Sequence, residues 1–360
     1  MTSNFSNNNQ TSYKLYSLLL GSELNFSIIG RGALSTFRAL ILFSRFFLCD
    51  AGLWLYICLF LSSFIEESRN TGCLLTKSSS SILINKGGNR LRSSVARLIE
   101  FYDSMAELYD RFFTLYSPFY REHYDTLRKS LDHILRSIPK GSLVADIGCG
   151  TGYWSRYLSD RGYVVIGLDI SSRSVGVLRS RGVEGVVCDA RLVPLRGLLF
   201  DLAISLGSVV NHIEQLDLFL AGANRILKRG GYLVFDFDNA CTIDNLYEAL
   251  VYRNSVSGFV SSLLSGFRMG YRFFWDLGGY YIRLYSLSEI LSSARSSGFD
   301  VVSIRPIHVF TSIIPSRVSE RGGRIISRVF DALHRLERLG RFLPLSYFFS
   351  VSMVVVLRKL

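Results

Sequence analysis

Short apolar runs alternate with amphipathic stretches from residue 143 onward, and this alternation predicts strands and helices in turn. Residues 143–147 (LVADI) and 164–168 (VVIGL), for example, have the length and apolar content of buried strands. The predicted strands are 143–147, 164–168, 183–188, 201–206 and 232–237, and the predicted helices between them are 153–161, 172–181 and 215–228. Because strands joined by helices form right-handed crossovers, the pattern predicts a parallel, doubly wound α/β sheet. A ligand is then expected at the carboxyl ends of the strands.

The first hundred residues have a different pattern. Residues 1–12 are polar and rich in asparagine, whereas residues 46–65 form an apolar run of 20 residues, a length that can cross a bilayer. We interpret residues 1–67 as a polar tail with an apolar helical segment, and residues 68–95 as a Ser- and Gly-rich linker. Three interpretations stay open for the apolar segment. It is a membrane anchor with contact through residues 34–65, a buried or interfacial helical hairpin, or an extension that does not belong to the functional protein.

Composition narrows the class of protein. The 360 residues are 49% hydrophobic and 19% charged, which excludes a wholly disordered, collagen-like or coiled-coil chain. The net charge of +12 is spread along the chain, so it indicates weak attraction to anions more than recognition of a nucleic acid. The six cysteines fit neither a zinc site nor a disulfide framework, so we expect no metal and reduced thiols in a cytoplasmic protein.

A glycine-rich loop follows the first predicted strand and reads Asp146-Ile147-Gly148-Cys149-Gly150-Thr151-Gly152. Its glycines let the backbone turn tightly and approach a ligand without an intervening Cβ, while the next helix offers free N–H groups. A dinucleotide-binding loop has the spacing G-x-G-x-x-G, whose third glycine would stand where this chain has Tyr153. The loop therefore predicts a ligand site and disfavours a nicotinamide-dependent oxidoreductase.

With its leading acidic residue, this loop resembles motif I of the class I S-adenosylmethionine-dependent methyltransferases, and the chain resembles their small-molecule type with a methyltransferase type 11/25-like domain. The resemblance implies S-adenosyl-L-methionine as the cofactor and a seven-stranded, mostly parallel sheet with an antiparallel last strand. It also implies that Asp169, after the second strand, accepts the ribose hydroxyls, and that Asp189, after the third, accepts the adenine amino group. Residues 106–121 resemble the family's N-terminal helix, in which a Tyr-Asp pair, here Tyr109 and Asp110, leans over the cofactor. The cofactor-binding residues implied in this way are Asp146, Gly148, Cys149, Gly150, Gly152, Asp169, Ile170, Asp189, Ala190, Leu206, Gly207 and Tyr109.

The fourth predicted strand is followed by residues that border the reacting methyl group in the family. His212 is the candidate catalytic residue, because a histidine with an ordinary pKa near neutrality can act as a general base for a hydroxyl or amine acceptor. The alternative for His212 is a structural role in capping the next helix or bonding the backbone. Asn211 either orients the substrate or caps that helix. The chain lacks the Asn/Asp-Pro-Pro-Tyr tetrad at this strand end and a Pro-Cys pair, so the amino-adenine and pyrimidine-C5 methyltransferases are disfavoured.

Two longer segments depart from the alternating pattern. Residues 239–285 are rich in aromatic side chains and predict a hairpin over 268–285, which in the family roofs the acceptor pocket. Residues 306–344 contain a basic amphipathic helix, predicted over 321–341, that lies on an anionic membrane, contacts RNA or packs its apolar stripe on the sheet. The apolar run 347–357 predicts the last, antiparallel strand.

We therefore expect residues 96–360 to form one methyltransferase domain with insertions at about 239–285 and 306–344. The expected acceptor is a small, apolar or aromatic metabolite that is methylated on oxygen, nitrogen or carbon. An RNA methyltransferase acting on tRNA or rRNA is the first alternative, and it would use the basic helix. A non-catalytic cofactor-binding or membrane-tethered protein is the second alternative.

Overall fold

A computed structural model of the chain describes residues 94–110, 117–242, 244–245, 269–275, 278–315, 318–319, 323–340 and 346–360. The predicted polar tail, the apolar helical segment with its membrane contact through 34–65, and the linker up to residue 93 lie outside the described residues. Within the described ranges, no helix is both long and apolar enough to cross a membrane.

The described elements follow the predicted alternation of strands and helices. The helices are α1 (Ser94–Met105), α2 (Pro118–Leu135), α3 (Tyr153–Ser159), α4 (Ser172–Ser180), α5 (Leu216–Ile226), α6 (Leu287–Ser296), α7 (Arg324–Gly340) and α8 (Ser346–Phe349). The strands are β1 (Leu143–Ile147), β2 (Val164–Asp169), β3 (Glu184–Val187), β4 (Phe200–Ser205), β5 (Leu227–Asp238), β6 (Tyr271–Trp275), β7 (Tyr280–Leu284), β8 (Phe299–Ile307) and β9 (Ser352–Lys359). Two 3₁₀ turns lie at Val209–His212 and Thr311–Ile313.

Seven of these strands form one sheet in the order β3-β2-β1-β4-β5-β9-β8. The neighbours from β3 to β5 are parallel, whereas β9 is antiparallel to both β5 and β8. The expected doubly wound, mostly parallel sheet with an antiparallel last strand is therefore confirmed. The strand order reverses between β1 and β4, and an open α/β sheet forms its ligand crevice at such a reversal.

Both faces of the sheet are covered, which explains why its central strands are mostly apolar. On β1, Ala145 and Ile147 belong to one buried cluster with Phe219 of α5, and Val144 belongs to a second cluster with Leu131 of α2. A separate pair of strands, β6 and β7, forms the predicted antiparallel hairpin.

Three elements differ from the predictions by more than three residues at a boundary. The helix predicted over 106–121 is not continuous, because residues 106–108 form a turn, residues 109–110 are helical, and α2 begins at Pro118 with Ser117 as its extended N-cap. Residues 111–116 lie outside the described residues. A proline has no N–H to donate inside a helix and suits the first turn, so Pro118 marks a helix start. The strand predicted at 232 begins at Leu227, and the strand predicted at 347 begins at Ser352, after α8.

Candidate active site

The glycine-rich loop turns between β1 and α3 with three glycines at positive φ. A Cβ on Gly148 would lie 2.4 Å from the side chain of Val209, and one on Gly152 would lie 2.3 Å from that of Leu178. Gly150, at φ +52°, has no heavy atom within 4 Å of such a Cβ. The outer glycines are therefore required for packing, while Gly150 presents an open face.

Asp169 at the end of β2 holds this loop in place. Its carboxylate accepts hydrogen bonds from the backbone N–H of Gly150 at 2.8 Å and of Ser171 at 2.8 Å. Burial raises the pKa of Asp169 above its usual range, although these N–H groups oppose the shift. The thiol of Cys149 is buried in the loop, and desolvation raises its pKa well above the usual range. Cys149 is thus a packing residue without a reactive thiolate.

Asp146 lies beneath the loop. It is 1% exposed, and its carboxylate accepts a hydrogen bond of 2.6 Å from the hydroxyl of Ser155 on α3. Burial raises the pKa of Asp146 to about 7. Its role in the structure is to join the end of β1 to the first turn of α3, so it supports the loop from inside.

Asp189 follows β3, which pairs with β2 so that Asp169 lies opposite Val187. The Asp189 carboxylate accepts two hydrogen bonds from Nε of Arg191, at 2.9 and 3.0 Å, and the pair lowers the pKa of Asp189. Ile170 and Ala190, which follow the ends of β2 and β3, are partly exposed beside these acids. The structure thus brings Asp169, Ile170, Asp189 and Ala190 to two adjacent strand ends.

A segment from α1 to Asp110 crosses the strand ends and is anchored on two sides. Asp103 accepts hydrogen bonds from the hydroxyl of Ser171 at 2.6 Å and from the N–H of Arg173 at 3.1 Å, at the start of α4. Asp110 accepts one from the hydroxyl of Thr151 in the glycine loop at 2.5 Å and pairs with Arg181 at 2.6 Å.

Tyr109 lies in this segment, close enough to Asp169 for that carboxylate to contribute, after burial, to raising the pKa of the tyrosine. The sequence had pointed to Tyr109 and Asp110 but gave no signal for Asp103.

The turn after β4 has an unusual backbone. Leu206 is buried, and Gly207 and Ser208 both have positive φ, at +95° and +59°. The carboxylate of Asp236, which is fully buried in β5, accepts hydrogen bonds from the N–H of Gly207 at 2.7 Å and of Ser208 at 3.0 Å. His123 of α2 contacts the same carboxylate through Nε2 at 2.9 Å. Sequence reasoning missed Asp236, for which the available signal was an acidic residue inside an otherwise apolar strand.

His212 lies in the 3₁₀ turn that follows, with both ring nitrogens in contact with tyrosine hydroxyls. The hydroxyl of Tyr102 on α1 is 3.0 Å from Nε2, and that of Tyr280 on β7 is 3.3 Å from Nδ1. Burial lowers the pKa of His212 to about 4, so the ring is neutral at physiological pH. A neutral imidazole has one donor and one acceptor nitrogen, so one tyrosine donates to the ring and the other accepts from it.

An aromatic cluster surrounds this histidine. Trp275 on β6 lies with its ring centroid 5.9 Å from that of His212, and Phe101 lies 5.1 Å from Trp275. We call Phe101, Tyr102, His212, Trp275 and Tyr280 the His212 cluster. Its members come from α1, the 3₁₀ turn and the β6–β7 hairpin, so three separate parts of the chain converge beside the end of β4.

Asn211 caps no helix. Its amide nitrogen donates to the carbonyls of Asp238 at 3.2 Å and Arg283 at 2.7 Å, and its amide oxygen accepts from the N–H of Asp238 at 2.8 Å. It therefore fastens the 3₁₀ turn to both β5 and β7, and it does so from a buried position.

In the part of the chain that the structure describes, no group of three or more His, Cys, Asp or Glu side chains is placed to bind a metal ion. The site consists of a glycine cradle with an open face, strand-end carboxylates and a neutral histidine among aromatic side chains.

Comparisons with known proteins agree with this arrangement. Residues 145–235 match the family described as "Methyltransferase domain". The chain is 38% identical over 117 residues to a tRNA (carboxymethyluridine(34)-5-O)-methyltransferase of Xenopus tropicalis, covering 30% of this chain and 18% of that protein. It is 31% identical over 100 residues to a ubiquinone biosynthesis O-methyltransferase of Sinorhizobium fredii, covering 26% of this chain and 40% of that protein. The chain thus spans less than half the length of these two curated relatives.

A solved S-adenosylmethionine-dependent methyltransferase from Mesorhizobium loti aligns over 66% of this chain and 98% of its own, with a TM-score of 0.42 and 15% identity. Residues 145–235 are therefore a methyltransferase domain, and the order of the strands around them agrees with the class I S-adenosylmethionine-dependent methyltransferase fold expected from the sequence.

Proposed function

We propose that the protein transfers the methyl group of S-adenosylmethionine to a small, ring-bearing acceptor that binds against the His212 cluster. The observation that carries this proposal is the position of His212. It lies just beyond the end of β4, neutral, partly buried and bonded through both nitrogens to tyrosines from α1 and β7. Aromatic side chains in such an enclosure favour an apolar or ring-bearing ligand over a hydrated one.

The residues at the strand ends fit the cofactor. Asp169 has carboxylate lone pairs for the ribose hydroxyls in addition to those used by Gly150 and Ser171. Gly150 lets the ligand approach the backbone, and Ile170 and Ala190 offer apolar contacts at the neighbouring strand ends.

Further cofactor contacts follow from the same placement. Arg191 contacts both carboxylate oxygens of Asp189 through its backbone N–H, Nε and Nη2, so Asp189 accepts the adenine amino group in exchange for one of these contacts. Tyr109 covers the site from the crossing segment. Gly148, Cys149, Gly152 and Asp146 shape the loop from behind, and Leu206 and Gly207 face the amino-acid part of the cofactor.

The reaction needs alignment more than acid–base chemistry. When bound, the cofactor supplies an electrophilic methyl group on a sulfonium, which an acceptor lone pair attacks as the carbon–sulfur bond breaks. The protein holds the acceptor atom in line with the carbon–sulfur bond and excludes water, and this pre-organisation of the reactants accelerates the transfer. Both nitrogens of His212 are hydrogen-bonded to tyrosines. For a hydroxyl or amine acceptor, the released proton therefore reaches the unprotonated nitrogen by way of the tyrosine hydroxyl that donates to it, or after the acceptor displaces that hydroxyl, while the tyrosine at the other nitrogen fixes the ring orientation.

An RNA acceptor is the second candidate. It is favoured by three exposed arginines on α7, Arg324, Arg328 and Arg335, because arginines that contact phosphates dominate binding to nucleic acid. The Xenopus protein carries tRNA in its name, but only 18% of its length aligns with this chain. The aromatic surroundings of His212 lead us to favour the small acceptor.

One labelling experiment distinguishes the two candidate acceptors. The full-length chain is incubated with S-adenosylmethionine labelled in the methyl group, together with a low-mass metabolite extract or with total RNA. We expect label in a low-mass product, and a strong loss of that label in His212→Ala but not in His133→Ala, which removes an exposed histidine of α2. Ribonuclease-sensitive label in the RNA fraction would instead support the second candidate.

Cofactor binding is measured separately by calorimetry. Asp169→Ala should weaken S-adenosylmethionine binding by at least about tenfold, since it removes charged hydrogen bonds worth about 1.5–3 kcal/mol each. Asp201→Ala is the matched control, because Asp201 pairs with Lys228 at the opposite end of the sheet. Equal affinities for the two variants would contradict the proposed cofactor site.

A further inference from the structure

The turn after β4 is held from inside the protein by one carboxylate. Asp236 is 0% exposed and accepts the N–H groups of Gly207 and Ser208, at 2.7 and 3.0 Å. Ser208 has φ +59°, a left-handed conformation that costs a non-glycine residue about 1–2 kcal/mol. The turn is thus a strained conformation that depends on its buried acceptor.

Those two hydrogen bonds also orient two carbonyl groups. The peptide bonds from Leu206 to Ser208 are trans, so each carbonyl points opposite to the N–H of the residue that follows it. Because the N–H groups of Gly207 and Ser208 are directed to Asp236, the carbonyls of Leu206 and Gly207 point away from that carboxylate. The turn adjoins the glycine loop, since a Cβ on Gly148 would lie 2.4 Å from Val209. Two carbonyl oxygens in this position form a site for a cation that donates hydrogen bonds, such as an ammonium group.

His123 completes the arrangement from α2. It is 6% exposed, and its Nε2 lies 2.9 Å from the same carboxylate oxygen that accepts the N–H of Ser208. A buried carboxylate with hydrogen-bonded partners at both of its oxygens is stabilised in one orientation. The next residue of α2, Tyr124, has its hydroxyl 4.0 Å from the position of a Cβ on Gly207, so two consecutive residues of α2 lie beside the turn and its acceptor.

We propose that His123 and Asp236 are positioning residues that hold the Leu206–Ser208 turn so that its carbonyls bind the α-ammonium group of the cofactor's amino-acid part. This inference rests on the proposed function and adds to it. Neither residue touches the cofactor, and both act through the backbone of the turn.

The test compares two ligands that differ only in the amino-acid part. S-adenosylhomocysteine carries that part, whereas 5′-methylthioadenosine keeps the nucleoside and the sulfur but has no ammonium group. Calorimetry on the full-length chain should show that Asp236→Asn weakens S-adenosylhomocysteine binding by at least about tenfold and 5′-methylthioadenosine binding by less than about twofold. A variant that no longer folds correctly would instead bind both ligands more weakly, and to the same extent.

Two further sets of variants separate positioning from stability. His123→Gln keeps an N–H donor and should retain most of the affinity for S-adenosylhomocysteine, whereas His123→Leu should lose it selectively, even if Asp236→Asn does not fold. Glu337→Gln is the matched control, because Glu337 is also a buried carboxylate that accepts turn N–H groups, those of Phe310 and Thr311, at a different turn. It should leave the ratio of the two affinities unchanged.

The outcomes distinguish the two levels of the proposal. Equal weakening of both ligands in Asp236→Asn and His123→Leu, or no weakening in either variant, overturns the positioning role and leaves the proposed function standing. A wild-type chain that binds neither ligand overturns the proposed function and this inference together.

Discussion

Replacement of Asn211 by alanine should destabilise the protein more than any ordinary asparagine substitution. The side chain is 1% exposed and makes three hydrogen bonds, two to backbone groups of Asp238 and one to the carbonyl of Arg283. Each buried hydrogen bond contributes a net of about 0.5–1.5 kcal/mol, so three contribute about 3 kcal/mol. Alanine also leaves the two carbonyls and one N–H without these partners inside the protein.

Urea unfolding followed by circular dichroism measures this cost. With a slope of about 3 kcal/mol per molar urea, a loss of about 3 kcal/mol lowers the unfolding midpoint by about 1 M. Asn224→Ala is the matched control, because Asn224 is partly exposed and its amide donates one hydrogen bond, to the carbonyl of Gly298 at 3.2 Å. That control should shift the midpoint by about 0.3 M, which corresponds to about 1 kcal/mol.

The comparison can refute the reasoning directly. If the two variants shift the midpoint equally, Asn211 does not fasten the 3₁₀ turn to β5 and β7. If Asn211→Ala instead changes the slope, the substitution has altered the surface exposed on unfolding, and the hydrogen-bond arithmetic does not apply.

Two other predictions concern the loop and the histidine. Gly152→Ala should lower the free energy of unfolding by about 3 kcal/mol, because the residue is in a left-handed conformation and its Cβ would lie 2.3 Å from Leu178. Gly176→Ala is the control: its Cβ meets no atom within 4 Å, so it should stabilise helix α4 by about 0.5–1 kcal/mol. Equal melting temperatures for the two variants would contradict this prediction. His212 has a folded pKa of about 4, below the ordinary 6.5, so the folded state binds its proton less well than the unfolded state. The stability of the wild type relative to His212→Gln should therefore fall as the pH drops from 6.5 to about 4; a constant difference in unfolding free energy across that range would show that His212 is not buried in a neutral form.

The strand-end part of the site, where the cofactor is proposed to bind, was predictable because it depends on local sequence. A parallel strand buried on both faces is a short apolar run, and the ligand lies where the run ends, so the glycine loop and Asp169 could be located from spacing alone. Sequence spacing does not report side-chain direction, however. Like Asp169, Asp146 stands near the end of a buried strand, yet its side chain is directed inward to Ser155.

The acceptor half was predictable only in outline. The hairpin was expected from its aromatic strands and Gly-Gly turn, and the structure has it at β6 and β7. The partners of His212 could not be predicted, because Tyr102 and Tyr280 lie 110 and 68 residues away along the chain. Contacts of such separation are set by how elements pack, and no local pattern encodes them. Asp236 was missed for the same reason, since its partners Gly207 and His123 lie 29 and 113 residues away.

This division bears on how the acceptor is selected. The residues matched by the methyltransferase family, 145–235, contain the glycine loop, Asp169, the β4 turn and His212. The side chains around His212, namely Tyr102 and the hairpin residues Trp275 and Tyr280, lie outside that range. A change at Tyr102 or in the hairpin therefore alters the shape of the proposed acceptor side without touching the glycine loop, and relatives that share the loop are free to differ in acceptor. It follows that the identity of the acceptor must be sought by varying these aromatic residues, with Trp275 first. Its ring centroid lies 5.9 Å from that of His212, and a smaller side chain there would make room beside the histidine while leaving both tyrosine–histidine hydrogen bonds in place.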